Sequence, residues 1–210
     1  MYQPTELCEL GWKYGADKSP LVSHTYTAYY YKLLKDRRQS VRKVLELGVG
    51  NNHMVDMVRT LRNCPNAQIG ASLKMWRDFF PNAWVYGADW YPESIIQDKR
   101  ISTYYADLNK EEDILKLLKK TGTDIDLIVD DAAHRVGQQY LLARTILPRL
   151  TAKNYIYIIE DCGWTKWLRD KLRKYNGVIP QFRTRNELNG EWGPLPHIRD
   201  TAVIFSPEFA

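Results

Sequence analysis

Leu127–His134, LIVDDAAH, and Tyr155–Asp161, YIYIIED, decide the fold of this chain. Each is a run of apolar, largely β-branched residues that stops abruptly at carboxylates, the pattern of a buried parallel strand whose C-terminal end opens into a polar site. In open α/β sheets ligands bind beyond the carboxyl ends of the strands, so Asp130, Asp131, His134, Glu160 and Asp161 are expected to converge on one place.

Outward from these two runs, strands and helices alternate. Strands are predicted at Val44–Leu47, Trp84–Ala88, Ile101–Tyr105, Ile125–Val129 and Tyr155–Ile159. Helical spacing of apolar residues predicts helices over Thr25 to about Arg38, Met54–Leu61, Ala71–Phe80, Gln138–Leu150 and Thr165–Tyr175. A further helix, with Asn109 as its cap, carries Glu111, Glu112 and Asp113 in the first turn and stops at Gly122. GWKYGADKSP reads as turn-rich, with Asp17–His24 a polar loop. Two tail strands, Gln181–Thr184 and Thr201–Phe205, flank the loop NGEWGPLPHIRD. The expected fold is α/β: a Rossmann-like, doubly wound, mostly parallel seven-stranded sheet with an antiparallel C-terminal edge. With 210 residues and no linker-like shift in composition, residues 1–210 are expected to form a single domain.

Composition narrows the class. At 44% hydrophobic and 26% charged residues the chain has an ordinary globular make-up, and no apolar run approaches the ~18 residues of a membrane span. Three cysteines without ligand-like spacing, and a start lacking a basic and then apolar leader, point to reduced thiols in a cytoplasm. The net charge of +5 is spread over helix faces such as Lys116/Lys119/Lys120, so no nucleic-acid partner is expected. Seven tryptophans and 14 tyrosines suit a core and also a pocket for a ring-shaped ligand.

Chemistry is read at the strand ends. Gly48 and Gly50 follow the first strand, where a glycine turn lets backbone approach a ligand. His53 stands where the dinucleotide fingerprint has its third glycine, which disfavours a pyrophosphate. Glu46 lies inside that strand and needs hydrogen bonds or a cation, such as a ligand amino group. Asp89, closing the second strand, matches the carboxylate that holds ribose hydroxyls, delayed beyond the usual ~20 residues by an inserted helix and loop. Asp131, Glu160 and Asp161 offer hard oxygens for Mg²⁺, Mn²⁺ or Ca²⁺; the other reading is that they cap the following helices. His134, three residues after Asp131, is placed to accept a proton from an alcohol. His24 and Lys18, in the polar loop, are free to touch a ligand.

VLELGVG with Asp89 and Asp107 resembles the class I S-adenosylmethionine-dependent methyltransferases. More narrowly, GADK…HTYTAYY, IGASLKMWRDFFPNAWVYGADW, DLIVDDAAH and YIYIIED, in this order from about Gly15 to Trp164, are similar to the macrocin O-methyltransferase family, which includes sugar methyltransferases. The resemblance implies S-adenosylmethionine and Mg²⁺ (or Mn²⁺) as cofactors. Glu46 and Gly48 would hold the methionine end with Ser72 beside them, Asp89 the ribose, and Asp107 the adenine amino group. Trp90, Leu108 and Asp130 would also line the cofactor. It further implies Asp131, Glu160 and Asp161 as metal ligands, His134 as general base, and residues 1–40 as an N-terminal helix and lid. Acceptor contacts are expected from His24, Tyr26, Trp164 and the loop Asn189–His197.

Three departures stand out: Ala132-Ala133 for the family's Gly-Ser, a lone Gly70 before Ala71, and Lys153-Asn154 for a Gly-Gly. None removes an implied ligand. The expected function is therefore O-methylation of a sugar hydroxyl on a glycan or glycosylated metabolite. The alternatives are a metal-dependent catechol-type methyltransferase, an NAD-linked oxidoreductase, and a non-catalytic Rossmann-like module.

Overall fold

The structure, a computed structural model, describes residues 3–182 and 200–209. Its elements run α1 (Glu6–Tyr14), α2 (Tyr26–Leu34), β1 (Lys43–Leu47), α3 (Asn52–Leu61), α4 (Ala71–Phe79), β2 (Trp84–Asp89), β3 (Gln97–Asp98), β4 (Ile101–Tyr105), α5 (Glu111–Thr121), β5 (Leu127–Asp130), α6 (Val136–Ile146), β6 (Ile156–Glu160), α7 (Thr165–Lys171), β7 (Gly177–Val178) and β8 (Ala202–Phe205). The strands form one sheet in the order β3-β4-β2-β1-β5-β6-β8-β7. The five strands from β4 to β6 are parallel, and β3, β8 and β7 pair antiparallel at the two edges. Strand order reverses at β1, the switch point at which such sheets bind ligands.

The α/β class and the antiparallel edge agree with the sequence, with eight strands among the described residues in place of the seven expected. The short β3 is an added hairpin arm on β4. The partner of β8 is Gly177–Val178: Gln181 and Phe182 are not in a strand, and residues 183 and 184, like the Asn189–His197 loop, lie outside the described residues. Helix α1 takes the start of the stretch read as turns. Thr5 caps it by accepting the Cys8 N–H, Glu6 and Glu9 favour its first turn, and Gly15, left-handed at φ 74°, closes it. Asn109 does not cap α5; its N–H and side-chain amide both donate to Asp107 Oδ1 at 3.1 Å.

Strand parity assigns the carboxylates. Val44, Leu127, Val129, Ile156 and Ile158 pack against Leu7, Tyr26, Tyr30, Trp76 and Phe79 on one face of the sheet, the side of α1, α2 and α4. Leu45, Leu47, Ile128, Tyr157 and Ile159 pack against Ile114, Leu117 and Leu142 on the other. Each such side chain contributes about 1.5–3 kcal/mol by burial, so a one-residue slip in register is heavily penalised. With a period of two, Glu46, Asp131 and Glu160 continue the first face, whereas Asp130 belongs to the second.

Candidate active site

Those three carboxylates meet one cation. Lys18, from the loop after α1, is buried at 1% exposure and reaches the ends of β1, β5 and β6 at once. Its Nζ lies 2.6 Å from Glu160 Oε2 and 3.4 Å from Glu46 Oε1, and it donates to Asp131 Oδ2. Burial alone would lower the lysine pKa, but the charges of Asp131, Glu160 and Glu46 outweigh it and hold the ammonium well above its ordinary range. Burial raises the pKa of Glu46, Asp131 and Glu160, and Lys18 opposes the rise in each. The neighbours complete the shell: Trp76 Nε1 donates to Glu46 Oε2 at 2.9 Å, and Tyr30 donates to Glu160 Oε1 at 2.9 Å.

A second cluster opens towards solvent. Asp131 Oδ1 and Asp161 Oδ2 each lie 3.9 Å from His134 Nε2. Among the described residues, one atom each of Asp131, His134 and Asp161 falls within 4.8 Å of the others. Two carboxylate oxygens with open sides suit a hard, hydrated dication such as Mg²⁺. Glu160 does not join this cluster, because its two oxygens are taken by Lys18 and Tyr30. Both His134 (φ 52°) and Asp161 (φ 48°) are left-handed without being glycine, a conformation that costs about 1–3 kcal/mol and that marks functional sites. Tyr26, at 1% exposure, touches Asp161 twice: its hydroxyl donates to Oδ1 at 2.7 Å and accepts the Asp161 N–H at 3.1 Å.

Beside this cluster lies a cavity of about 480 Å³, lined among others by Gly48, Ser72, Asp89, Trp90, Leu108 and His134. Asp107 and Asp131 also border it, and Asp17 closes one side. Gly48 (φ 97°) is indispensable to its floor, since a Cβ would stand 2.2 Å from the Asp131 carbonyl oxygen. Gly50 (φ 89°) faces open space, so backbone is presented to whatever fills the cavity. Asp89 shapes the same turn: Oδ2 accepts the N–H groups of Val49 and Gly50, and Oδ1 those of Trp90 and Tyr91. Its carboxylate thus organises the loop at the edge of the cavity.

The structure brings Gly48, Ser72, Asp89, Trp90, Asp107, Leu108, Asp131 and His134 to one cavity. It relocates others. Glu46 lies behind the cavity wall, its Oε2 held by Trp76 and its Oε1 facing the Lys18 ammonium. Asp130 is on the opposite face of the sheet, outside the cavity lining, its Oδ2 without a hydrogen-bond partner and its pKa pushed up to about 7 by burial. His24 and Tyr26 lie outside the cavity lining: His24 Nδ1 pairs with Asp200 Oδ1 at 2.8 Å and the ring stacks on Tyr26. Trp164 precedes α7 at 65% exposure, outside the cavity lining. The sequence reading missed Lys18 as a buried partner, along with Tyr30, Trp76 and Asp200. Its one available signal was the surplus of strand-end carboxylates, which demands a cation nearby.

A glycine turn after β1, acid at the ends of β1, β2, β5 and β6, and antiparallel β8 and β7 beyond β6 make this the fold of the S-adenosylmethionine-dependent methyltransferases. The MycE methyltransferase of the mycinamycin biosynthetic pathway, in complex with Mg and SAH, shares it: TM-score 0.68 over 96% of this chain and 55% of that one, at 22% identity. The relatives are, more particularly, sugar O-methyltransferases. The chain is 30% identical over 165 residues to the 8-demethyl-8-(2-methoxy-alpha-L-rhamnosyl)-tetracenomycin-C 3'-O-methyltransferase of Streptomyces olivaceus, covering 79% of this chain and 38% of that protein. It is 28% identical over 162 residues to the mycinamicin VI 2''-O-methyltransferase of Micromonospora griseorubida, covering 77% and 37%. A MycE structure with Mg, SAH and mycinamycin VI matches at 28% identity and TM-score 0.63, over 79% of this chain and 39% of that one. The resemblance to macrocin-type enzymes is thereby borne out. No family model matches the sequence. The chain spans about two fifths of the length of these curated relatives.

Proposed function

We propose that this chain is an S-adenosylmethionine- and Mg²⁺-dependent O-methyltransferase acting on a sugar hydroxyl of a glycan or glycosylated metabolite. The observation that carries the reading is the convergence of Asp131, His134 and Asp161 at the edge of a cavity floored by a glycine turn. Relatives whose names state sugar O-methylation, and neighbours solved with Mg and SAH, support it. Gly48, Ser72, Asp89, Trp90, Asp107 and Leu108 would enclose the cofactor. Asp131 and Asp161 would hold the metal, and Glu160 would join them only by exchanging Lys18 for the ion. When bound, the sulfonium supplies an electrophilic methyl and Mg²⁺ acidifies the hydroxyl it touches. His134 would accept that hydroxyl's proton at Nε2, and the residues of the cavity wall would position the acceptor for displacement, which supplies much of the rate in such a reaction. Trp164, exposed three residues beyond Asp161, would contact the acceptor. Among the described residues no helix is long and apolar enough to cross a membrane.

The test is methyl transfer from labelled S-adenosylmethionine to a panel of mono- and oligosaccharides, glycosylated macrolides and catechols. Transfer to sugars, abolished by EDTA and by Asp131→Asn, is the expected result; His134→Ala should cut turnover while S-adenosylhomocysteine still binds. Transfer to catechols alone would replace the sugar reading, and calorimetric binding of NAD in place of S-adenosylmethionine would overturn the class of reaction.

A further inference from the structure

Asp161 occupies a backbone conformation that it would not adopt unaided, and the contacts that hold it there come from the far end of the chain. Its left-handed φ of 48° persists only if surrounding groups over-determine it. Tyr26, the first residue of α2, supplies two of those groups through one hydroxyl, accepting the Asp161 N–H and donating to Oδ1. The Thr201 carbonyl lies 3.2 Å from the same hydroxyl, but the carboxylate is closer at 2.7 Å and charged, so it takes the proton. With Oδ1 engaged, Oδ2 is the oxygen turned towards His134 and the Asp131 Oδ1 edge. The ring cannot drift: it stacks on His24 at 5.4 Å and on Tyr30 at 5.7 Å, and Phe182 meets its edge. His24 is pinned to Asp200, and Asp200 also accepts the Thr25 N–H at 2.6 Å.

We propose that Tyr26 is a positioning residue for the metal centre, its hydroxyl fixing the backbone and one carboxylate oxygen of Asp161 so that the other is presented to the ion. This rests on the metal reading proposed above. Partners that orient metal ligands typically account for 10–100-fold in metal affinity, and Tyr26 is such a partner delivered by the N-terminal segment. Residues 18–30 are on this account a wall of the centre as well as a cover for it.

The experiment titrates Mn²⁺ into the full chain by electron paramagnetic resonance, with no acceptor and no turnover, alongside calorimetric binding of S-adenosylhomocysteine. Tyr26→Phe should weaken Mn²⁺ binding about 10–100-fold and leave S-adenosylhomocysteine affinity within about twofold, because the ring stack stays in place. Tyr29→Phe, the same change on the same helix, should alter neither. In an Asp161→Asn background, where Mn²⁺ binding is already weak, Tyr26→Phe should cost nothing further. If Tyr26→Phe also loses the cofactor analogue, Tyr26→Met is read in its place. Wild-type binding of Mn²⁺ that Tyr26→Phe leaves unchanged, or an equal loss with and without Asp161, overturns the positioning role alone. A wild-type chain that binds no Mn²⁺ overturns the metal reading and this inference with it.

Discussion

Replacing Lys18 by methionine keeps the length of the side chain and removes one buried charge, leaving Glu46, Asp131 and Glu160 facing one another without a cation. At 2.6 and 3.4 Å, and an effective dielectric near ~20, each attraction to the ammonium is of order 5 kcal/mol before solvation is counted. Much of that offsets the cost of taking lysine out of water. Removing one partner of a buried ion pair costs a net 3–5 kcal/mol or so. In a domain of this size each kcal/mol moves the melting temperature by about 2–4 °C, so Lys18→Met should melt roughly 6–20 °C lower than the parent, read by calorimetry in EDTA.

The loss also carries a pH signature. Burial raises the Glu160 pKa and Lys18 restrains the rise, so without lysine the carboxyl binds its proton more tightly in the folded chain. An acid whose folded pKa is raised favours the native state at low pH and loses that contribution as pH rises. The deficit of Lys18→Met should therefore widen from about pH 5 to pH 8, and Glu160→Gln placed in the Lys18→Met chain should recover part of it, a coupling of about 1 kcal/mol or more. A melting temperature within about 2 °C of the parent at pH 8, or simple additivity of the two changes, would refute the account of Lys18 as the counter-ion of this cage.

Three further outcomes follow from the geometry. Burial opposes charge on His24, but Asp200 with Asp17 and Asp161 outweighs it and lifts the pKa to about 9; a raised histidine stabilises fully below about pH 6.5 and loses that contribution through pH 9. Calorimetric melting temperatures of the parent should thus fall more steeply between pH 7 and 10 than those of His24→Gln, and parallel profiles would count against it. Gly48→Ala pushes a methyl group to 2.2 Å from the Asp131 carbonyl in a left-handed conformation, so it should abolish calorimetric S-adenosylhomocysteine binding and lower stability by ~2 kcal/mol or more. Asp130→Asn should leave Mn²⁺ and S-adenosylhomocysteine affinities within about twofold, because Asp130 is walled off on the α5/α6 face; a tenfold loss of either would place it in the site after all.

What the chain discloses without a structure depends on the range over which each signal acts. Alternating apolar runs and helical spacings are local, and they located the sheet, the glycine turn and the acidic strand ends to within a few residues. The hairpin arm Gln97–Asp98 is two residues long and has no pattern to read, and α1 was hidden because Gly11 interrupts it and the turn formers Asp17, Ser19 and Pro20 crowd just beyond its closing Gly15. Long-range pairing was not legible: nothing near LIVDDAAH or YIYIIED indicates that the cation between them is an ammonium from residue 18, that a tyrosine from residue 26 grips Asp161, or that Asp200 anchors His24. Those partners are separated by more than a hundred residues and meet only because the sheet brings β5 and β6 under the N-terminal segment. One distinction was within reach. Adjacent residues of a strand face opposite sides, so of the pair Asp130-Asp131 only one can share a face with Glu46 and Glu160, whose own parity is set by the apolar residues two and four positions before them. Counting back along LIVDD puts Asp131 with Leu127 and Val129, and along YIYIIED puts Glu160 with Ile156 and Ile158. By the same count Asp130 belongs with Ile128, and its place on the far face, with Oδ2 unpartnered and burial pushing its pKa up to about 7, is a consequence of the pleat.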